Sequence, residues 1–266
     1  MKHLYYLLSL AVLITFSSCS SSRYYAQDNS QDYSQQQDDI TYQQFYDDLS
    51  PYGNWVNYGS YGYAWVPGVS NFRPYYTNGY WVYSDYGWTW ASNYNWGWAP
   101  FHYGRWVNDM SYGWMWIPGY EWAPAWVSWR GSGDYYGWAP LSPGMDINAS
   151  IGSIPYNNWA FVPRQYINSP KINSYYVNQS RNVTIINNTT IINITTVINN
   201  GGNRNSRPSY YQGPSVNEVE SATRTKIRKI NVVGSDKPGA TQVSNNFIRV
   251  FRPTVKETPA TSANIR

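Results

Sequence analysis

Charge, sulfur and imidazole are all scarce in this chain of 266 residues. Only 13% of its side chains are charged, and it has one cysteine, Cys19, and two histidines, His3 and His102. A single cysteine closes no internal disulfide, so outside the cytoplasm the fold must be held by packing. His3 lies in an N-terminal run that reads as a removed signal, and a lone His102 without a Cys partner does not supply the three or four ligands that zinc takes, so no metal or other cofactor is expected. The chain has no glycine-rich phosphate loop, no Cys/His nucleophile set and no Ser-His-Asp pattern. These gaps argue against nucleotide hydrolysis and nucleophilic catalysis. Aliphatic residues are missing where a core should be, since Leu, Ile and Val together number eight between 52 and 141.

Aromatic rings fill that gap. Fourteen of the fifteen tryptophans and fifteen tyrosines lie between 52 and 141. With so few aliphatics beside them, rings have to form the interior. They recur in a pattern. Trp55-Val56, Trp81-Val82, Trp106-Val107 and Trp126-Val127 each open a unit, followed by a Tyr/Gly/Ser/Asn/Asp turn. The answering steps are Tyr63-Ala64-Trp65-Val66-Pro67, Trp88-Thr89-Trp90, Trp114-Met115-Trp116-Ile117-Pro118 and Gly137-Trp138-Ala139-Pro140, with an additional step at Trp96-Gly97-Trp98-Ala99-Pro100. Residues i and i+2 share a face of a strand, not of a helix. Glycine-bearing turns between the steps are hairpin signals, and a proline after a step marks a strand end or sheet edge. The expected fold is all-β: antiparallel hairpin repeats forming a small barrel or a curved meander over 45–177, with a flexible N-terminal tether and a C-terminal extension.

The N-terminus carries its own signals. Met1-Lys2-His3 is basic, and Leu4 to Phe16 is an apolar run too short to span a bilayer comfortably. Phe16-Ser17-Ser18-Cys19 resembles a bacterial lipobox. The resemblance implies removal of a signal peptide, 1–18, and acylation of Cys19, which would hold the protein to a membrane, with the outer membrane expected. Residues 19–44, rich in Ser, Gln, Asp and Tyr, read as a disordered tether.

Charge is distributed unevenly. Residues 1–50 hold two basic and six acidic side chains, whereas 203–266 hold eleven and four. Between them, 178–202 repeats Ile185-Ile186-Asn187-Asn188-Thr189-Thr190, Ile191-Ile192-Asn193-Ile194-Thr195-Thr196 and Val197-Ile198-Asn199-Asn200-Gly201-Gly202. Its β-branched residues predict one or two extended strands laid on the aromatic domain. In the basic C-terminal extension, 203–266, Val216 to Ile230 suits a short helix. Asn231-Val232-Val233 and Phe247-Ile248-Arg249-Val250-Phe251 suit short strands. A basic end suits phosphorylated lipid or acidic glycan, and nucleic acid is not expected for an envelope protein.

Three blocks are distinctive: Leu49-Ser50-Pro51-Tyr52-Gly53-Asn54-Trp55-Val56, Trp98-Ala99-Pro100-Phe101-His102-Tyr103-Gly104-Arg105-Trp106 and Trp122-Ala123-Pro124-Ala125-Trp126-Val127-Ser128-Trp129-Arg130. On them the chain resembles domain-of-unknown-function family 6600, Trp/Tyr/Pro-rich proteins secreted by bacteria, from about Phe45 to Pro253. The resemblance implies an extracytoplasmic, mainly β domain and brings no activity or catalytic residue.

Flat rings stack on sugar faces, so Trp98, Trp114, Trp122 and Trp129 are candidates for binding envelope polysaccharide or peptidoglycan. The competing role for each is core packing. His102 suits structural hydrogen bonding better than base chemistry, and Arg105 and Arg130 suit stacking on tryptophan. A glycan-processing enzyme would need paired carboxylates. Asp85, Asp109, Asp134 and Asp146 are available, the first three in turn-like settings, and Glu121 stands inside the tryptophan block. The expected function is an envelope lipoprotein acting as a structural or glycan-binding module, not an enzyme; a glycan-processing enzyme is the alternative. Oligomeric state stays open.

Overall fold

The computed structural model describes residues 39–145, 154–192, 194–197 and 209–256, with backbone alone at 195–197 and 209. The signal peptide, Cys19, the tether up to residue 38, Asp146 and the last ten residues lie outside the described residues.

Four hairpins follow the aromatic repeat. They are β1 (Gly53–Asn57) with β2 (Tyr63–Pro67), β3 (Gly79–Ser84) with β4 (Gly87–Ser92), β5 (Arg105–Asp109) with β6 (Gly113–Ile117), and β7 (Val127–Gly131) with β8 (Tyr135–Pro140). Each sets one tryptophan directly opposite another: Trp55 and Trp65, Trp81 and Trp90, Trp106 and Trp116, Trp129 and Trp138. Residues facing each other on one side of an antiparallel pair have closely spaced Cβ atoms, so the two indoles form one unit of core. Apart from half-buried Trp55, all of these rings are buried. The Trp81 and Trp90 rings meet edge to face at 5.1 Å and 72°, as ring quadrupoles prefer.

The hairpins assemble into small sheets around one core. β2 and β6 meet where Trp65 pairs with Trp116, giving the order β1-β2-β6-β5. β9 (Ala160–Pro163) joins β8 and β10 (Thr190–Ile191) joins β7, giving β10-β7-β8-β9, while β3 and β4 form a sheet by themselves. The antiparallel all-β architecture is therefore as expected, but no barrel closes among the described residues. β2, β8 and β9 each end on a proline.

Indole nitrogens fasten the connections. Trp65 donates to the Leu49 carbonyl at 3.0 Å, Trp106 to Pro100 at 2.8 Å, Trp116 to Tyr103 at 2.7 Å and Trp138 to Tyr75 at 2.7 Å. Phenylalanine would leave part of the space empty and could not donate to these carbonyls.

Several expectations need correction. The additional step Trp96-Gly97-Trp98 is a run of turns, not a strand, with the Gly97 amide bonded to the Tyr94 carbonyl at 2.9 Å. A Cβ on Gly97 would lie 2.2 Å from Ser92 Oγ, so the tight coil requires glycine. The first half of the first period-six copy, Ile185-Ile186-Asn187, is helical, because α2 spans Asn182–Asn187. Arg130 imposes this by donating to the carbonyls of Ile186 and Thr189 at 2.9 and 2.8 Å, while Ile185 is buried. Tertiary contacts thus override β-propensity. Beyond the helix the described residues include two short strands: β10 pairs with β7, and β11 (Thr195–Val197) pairs with β12 (Ser209–Tyr211).

The tether boundary also moves. The first helix, α1 (Tyr42–Leu49), begins inside the expected tether, and the Ile40 amide bonds to the Thr254 carbonyl at 2.8 Å. The C-terminal extension holds the expected elements, α3 (Val216–Thr223, capped by Ser215), β13 (Asn231–Gly234) and β15 (Phe247–Val250), together with β14 (Gln242–Val243). It is part of the fold: Tyr211, Val219, Phe251 and Val255 lie in the main core. Trp88 Nε1 donates to the Pro214 carbonyl at 2.9 Å, and the Tyr103 hydroxyl donates to Pro253 at 2.6 Å.

Candidate functional site

The four stacking candidates have different fates. Trp98 and Trp129 are at most 1% exposed and offer no face to a ligand. Trp98 packs against Phe45 and Phe251, and Trp129 against Trp81 and Trp138. Both belong to the core because elements distant in sequence close over them. Trp122 is half-buried but surrounded. His102 stacks on it at 5.5 Å, Tyr86 meets it edge-on at 5.1 Å, and the Arg252 guanidinium lies 5.5 Å from its centroid.

Trp114 differs from both groups. It is half-buried, its ring packs on the edge of the core, and no other ring stacks on it among the described residues. Across the strand pair its partner is Asn108, whose amide reaches Asn158 Oδ1 at 3.5 Å. That contact brings the turn Tyr156–Asn158, with Tyr156 58% exposed, against this hairpin. At the hairpin tip Tyr112 is exposed. An indole with amide groups beside it and exposed phenols near it has the chemistry that sugars use, apolar faces ringed by hydroxyls. Sequence reasoning missed Tyr112 and Tyr156. Among the described residues the exposed rings are tyrosines, and for Tyr112 the signal was its place in a turn, immediately before Gly113.

The polar candidates have structural tasks. His102 is fully buried; its Nδ1 donates to the Ala123 carbonyl at 3.0 Å and Nε2 has no partner. Burial pushes its pKa down to about 4, so it is neutral at ordinary pH. Arg105 lies 3.5 Å from the Trp126 ring centroid, and burial lowers its pKa to about 10, opposed by Tyr75 and Glu121. Half-buried Glu121 is thus an electrostatic neighbour of Arg105. Arg130 stacks over Trp159 at 5.3 Å.

Asp85 accepts from the Val232 amide at 3.0 Å and ties down β13. Asp109 accepts from the amides of Ser111 and Tyr112 and from the Tyr58 hydroxyl; these bonds, the backbone ones foremost, hold its pKa below the usual carboxylate value. Asp134 gives its backbone carbonyl to Arg164 at 3.0 Å. Among the described residues no helix is long and apolar enough to cross a membrane.

Residues 46–145 match a family of unknown function, DUF6600. The DUF6600 match covers the four hairpins and fourteen of the fifteen tryptophans, and ends well short of Pro253. The core of the DUF6600 region is nevertheless completed from outside it, by Trp159, Phe161, Tyr211 and Phe251. No curated protein and no solved structure matches the chain.

Proposed function

We propose that the protein is an envelope lipoprotein, anchored through acyl chains on Cys19, whose aromatic domain binds glycan or serves as a scaffold for it. The lipobox-like Phe16-Ser17-Ser18-Cys19 supports the anchor. The observation that carries the glycan reading is Trp114, the one expected stacking residue that is part-exposed and has no ring of its own to stack on. Envelope polysaccharide or peptidoglycan would lie on its indole face and bond to the amide of Asn108. Such contact is apolar at its centre, so it should resist salt, unlike charge-driven adhesion.

The test is sedimentation with insoluble peptidoglycan and capsular polysaccharide at low and high salt. Binding should survive high salt, fall about tenfold in Trp114→Ala, as loss of roughly one good stacking contact implies, and largely return in Trp114→Phe. A thermal melt of each variant checks that the fold persists. Absence of sedimentation by the folded protein would leave the scaffold reading. Release of soluble sugar, lost in Glu121→Gln, would replace both with the enzyme reading. For the anchor, the mature protein should carry acyl mass on Cys19, and Cys19→Ala should release it or leave the precursor uncut. A processed Cys19→Ala protein still on the membrane would refute the anchor.

A further inference from the structure

The positive charge of this protein is concentrated in the segment that builds one small sheet. Residues 221–256 hold eight lysines and arginines against one acid, Asp236. The DUF6600 region, 46–145, holds three against six. The basic segment folds as β13, β15 and β14, in the order β13-β15-β14. Its inner face is apolar: Val232, Ile248 and Val250 are buried against Ala91 of β4. Alternation along β15 then turns Arg249 outward, exposed, between Val233 of β13 and Gln242 of β14. Arg228 and Lys229 lead directly into β13, and Lys237 lies in the β13–β14 connection; all three are exposed. None of these four cations forms an ion pair with a described carboxylate. Arg249 instead lies over the Phe247 ring at 4.9 Å, and Arg228 donates to the Asn245 carbonyl at 3.3 Å.

The place where the chain enters the fold gives this face a direction. The Ile40 amide bonds to the Thr254 carbonyl, the Lys256 amide bonds to Ile40, and Lys256 pairs with Asp39 at 2.8 Å. Thr254 is four residues beyond the end of β15, a span of at most roughly 14 Å. Asp39 and Ile40, the first described residues, therefore lie beside the end of this segment.

We infer that the outer face of the β13-β15-β14 sheet is a docking surface for anionic lipid headgroups, which seats the domain on the membrane. The biological sense of this docking rests on the anchored reading, but the contact does not require it. A sheet face whose cations form no ion pair suits a layer of phosphates, and each Lys or Arg near an anionic leaflet adds to binding. A lipid anchor and a basic surface would then act as two signals.

The experiment uses the chain from Ser20 onward, which keeps the compact unit Gln36–Arg266 whole and removes Cys19, so acylation plays no part. It is sedimented with phosphatidylcholine vesicles and with vesicles carrying about a third phosphatidylglycerol. Binding is expected only to the anionic vesicles and should fall steeply with salt. The triple variant Arg228→Gln, Lys229→Gln, Arg249→Gln should lower partitioning on the order of a hundredfold. Lys171→Gln, an exposed cation outside the patch, should leave it unchanged. The substituted side chains are exposed, and a thermal melt confirms that the triple variant is folded. Equal binding to both vesicle types, or an unaffected triple variant, would overturn the inference. So would binding to a soluble acidic polysaccharide with none to anionic vesicles. Glycan sedimentation through Trp114 is scored separately, so either reading can fail alone.

Discussion

The aromatic hairpins and the C-terminal sheet solve the same problem with different materials. In the hairpins, paired tryptophans fill the interior, and Trp65, Trp106, Trp116 and Trp138 also fasten a connection through the indole nitrogen, whereas those of Trp55, Trp81, Trp90 and Trp129 are buried without a partner. In the C-terminal sheet, Val232, Ile248 and Val250 seal one face against Ala91, in a cluster distinct from the main core. A large ring with a donor serves both packing and loop placement, so removing one loosens two things. A small aliphatic cluster does one task and leaves the other face of its sheet for charge. The hairpins should therefore be the last part to open and the C-terminal sheet an early one.

The strongest test of that contrast is Trp116→Ala. It empties a fully buried site and orphans the Tyr103 carbonyl, and should cost about 4 kcal/mol. Thermal or urea melts measure it. An unchanged midpoint would remove Trp116 from the core and with it the paired-indole account.

Next comes acid sensitivity on the aromatic side, which rests on His102. His102 stays neutral in the fold down to about pH 4, whereas in the unfolded chain it protonates from about 6.5. Between these values the unfolded state holds more protons. Stability should be at its full value above pH 6.5, decline by about 3 kcal/mol as pH falls to about 4, and level off below. In His102→Gln this part of the pH dependence should vanish. Identical pH profiles for the two proteins would place the histidine in solvent.

A smaller loss, about 2 kcal/mol, is expected for Ile248→Ala, near the low end for a buried aliphatic in a minor cluster. It should speed hydrogen exchange of the β13 and β15 amides and leave β5 and β6 protected. Uniform acceleration throughout the chain would mean that the two regions unfold as one. The smallest effect belongs to Asp109→Ala, which frees the amides of Ser111 and Tyr112 in a solvent-facing turn. A slight drop in melting temperature is the expected reading, and a large one would show that the turn organises the sheet.

Legibility followed the range of the interactions. The hairpin pairing was written locally, in aromatics two apart and glycines in the turns, and Trp81 faces Trp90 as that pattern requires. The strand end at Pro67 and the α3 helix behind Ser215 were equally local signals. Helix α2 was not, because Ile185-Ile186 alone favours a strand and the decision came from Arg130, more than fifty residues earlier. Ring exposure was equally opaque. Trp98 and Trp114 have similar neighbours in sequence, but Phe251 closes over Trp98 and no ring stacks on Trp114.

By itself, then, the sequence determined that rings would be the core, that strands would pair as hairpins, and that positive charge would gather near the C-terminus. Those features rest on composition and on contacts within a few residues, where the chain's own geometry leaves little choice. Tertiary structure decided that the C-terminal segment completes the core, and that its exposed cations lie on and around one small sheet. It also decided which indoles were fully buried and which were left half-buried at the edge. Such outcomes depend on which distant segments bury one another best, and no local period encodes that competition.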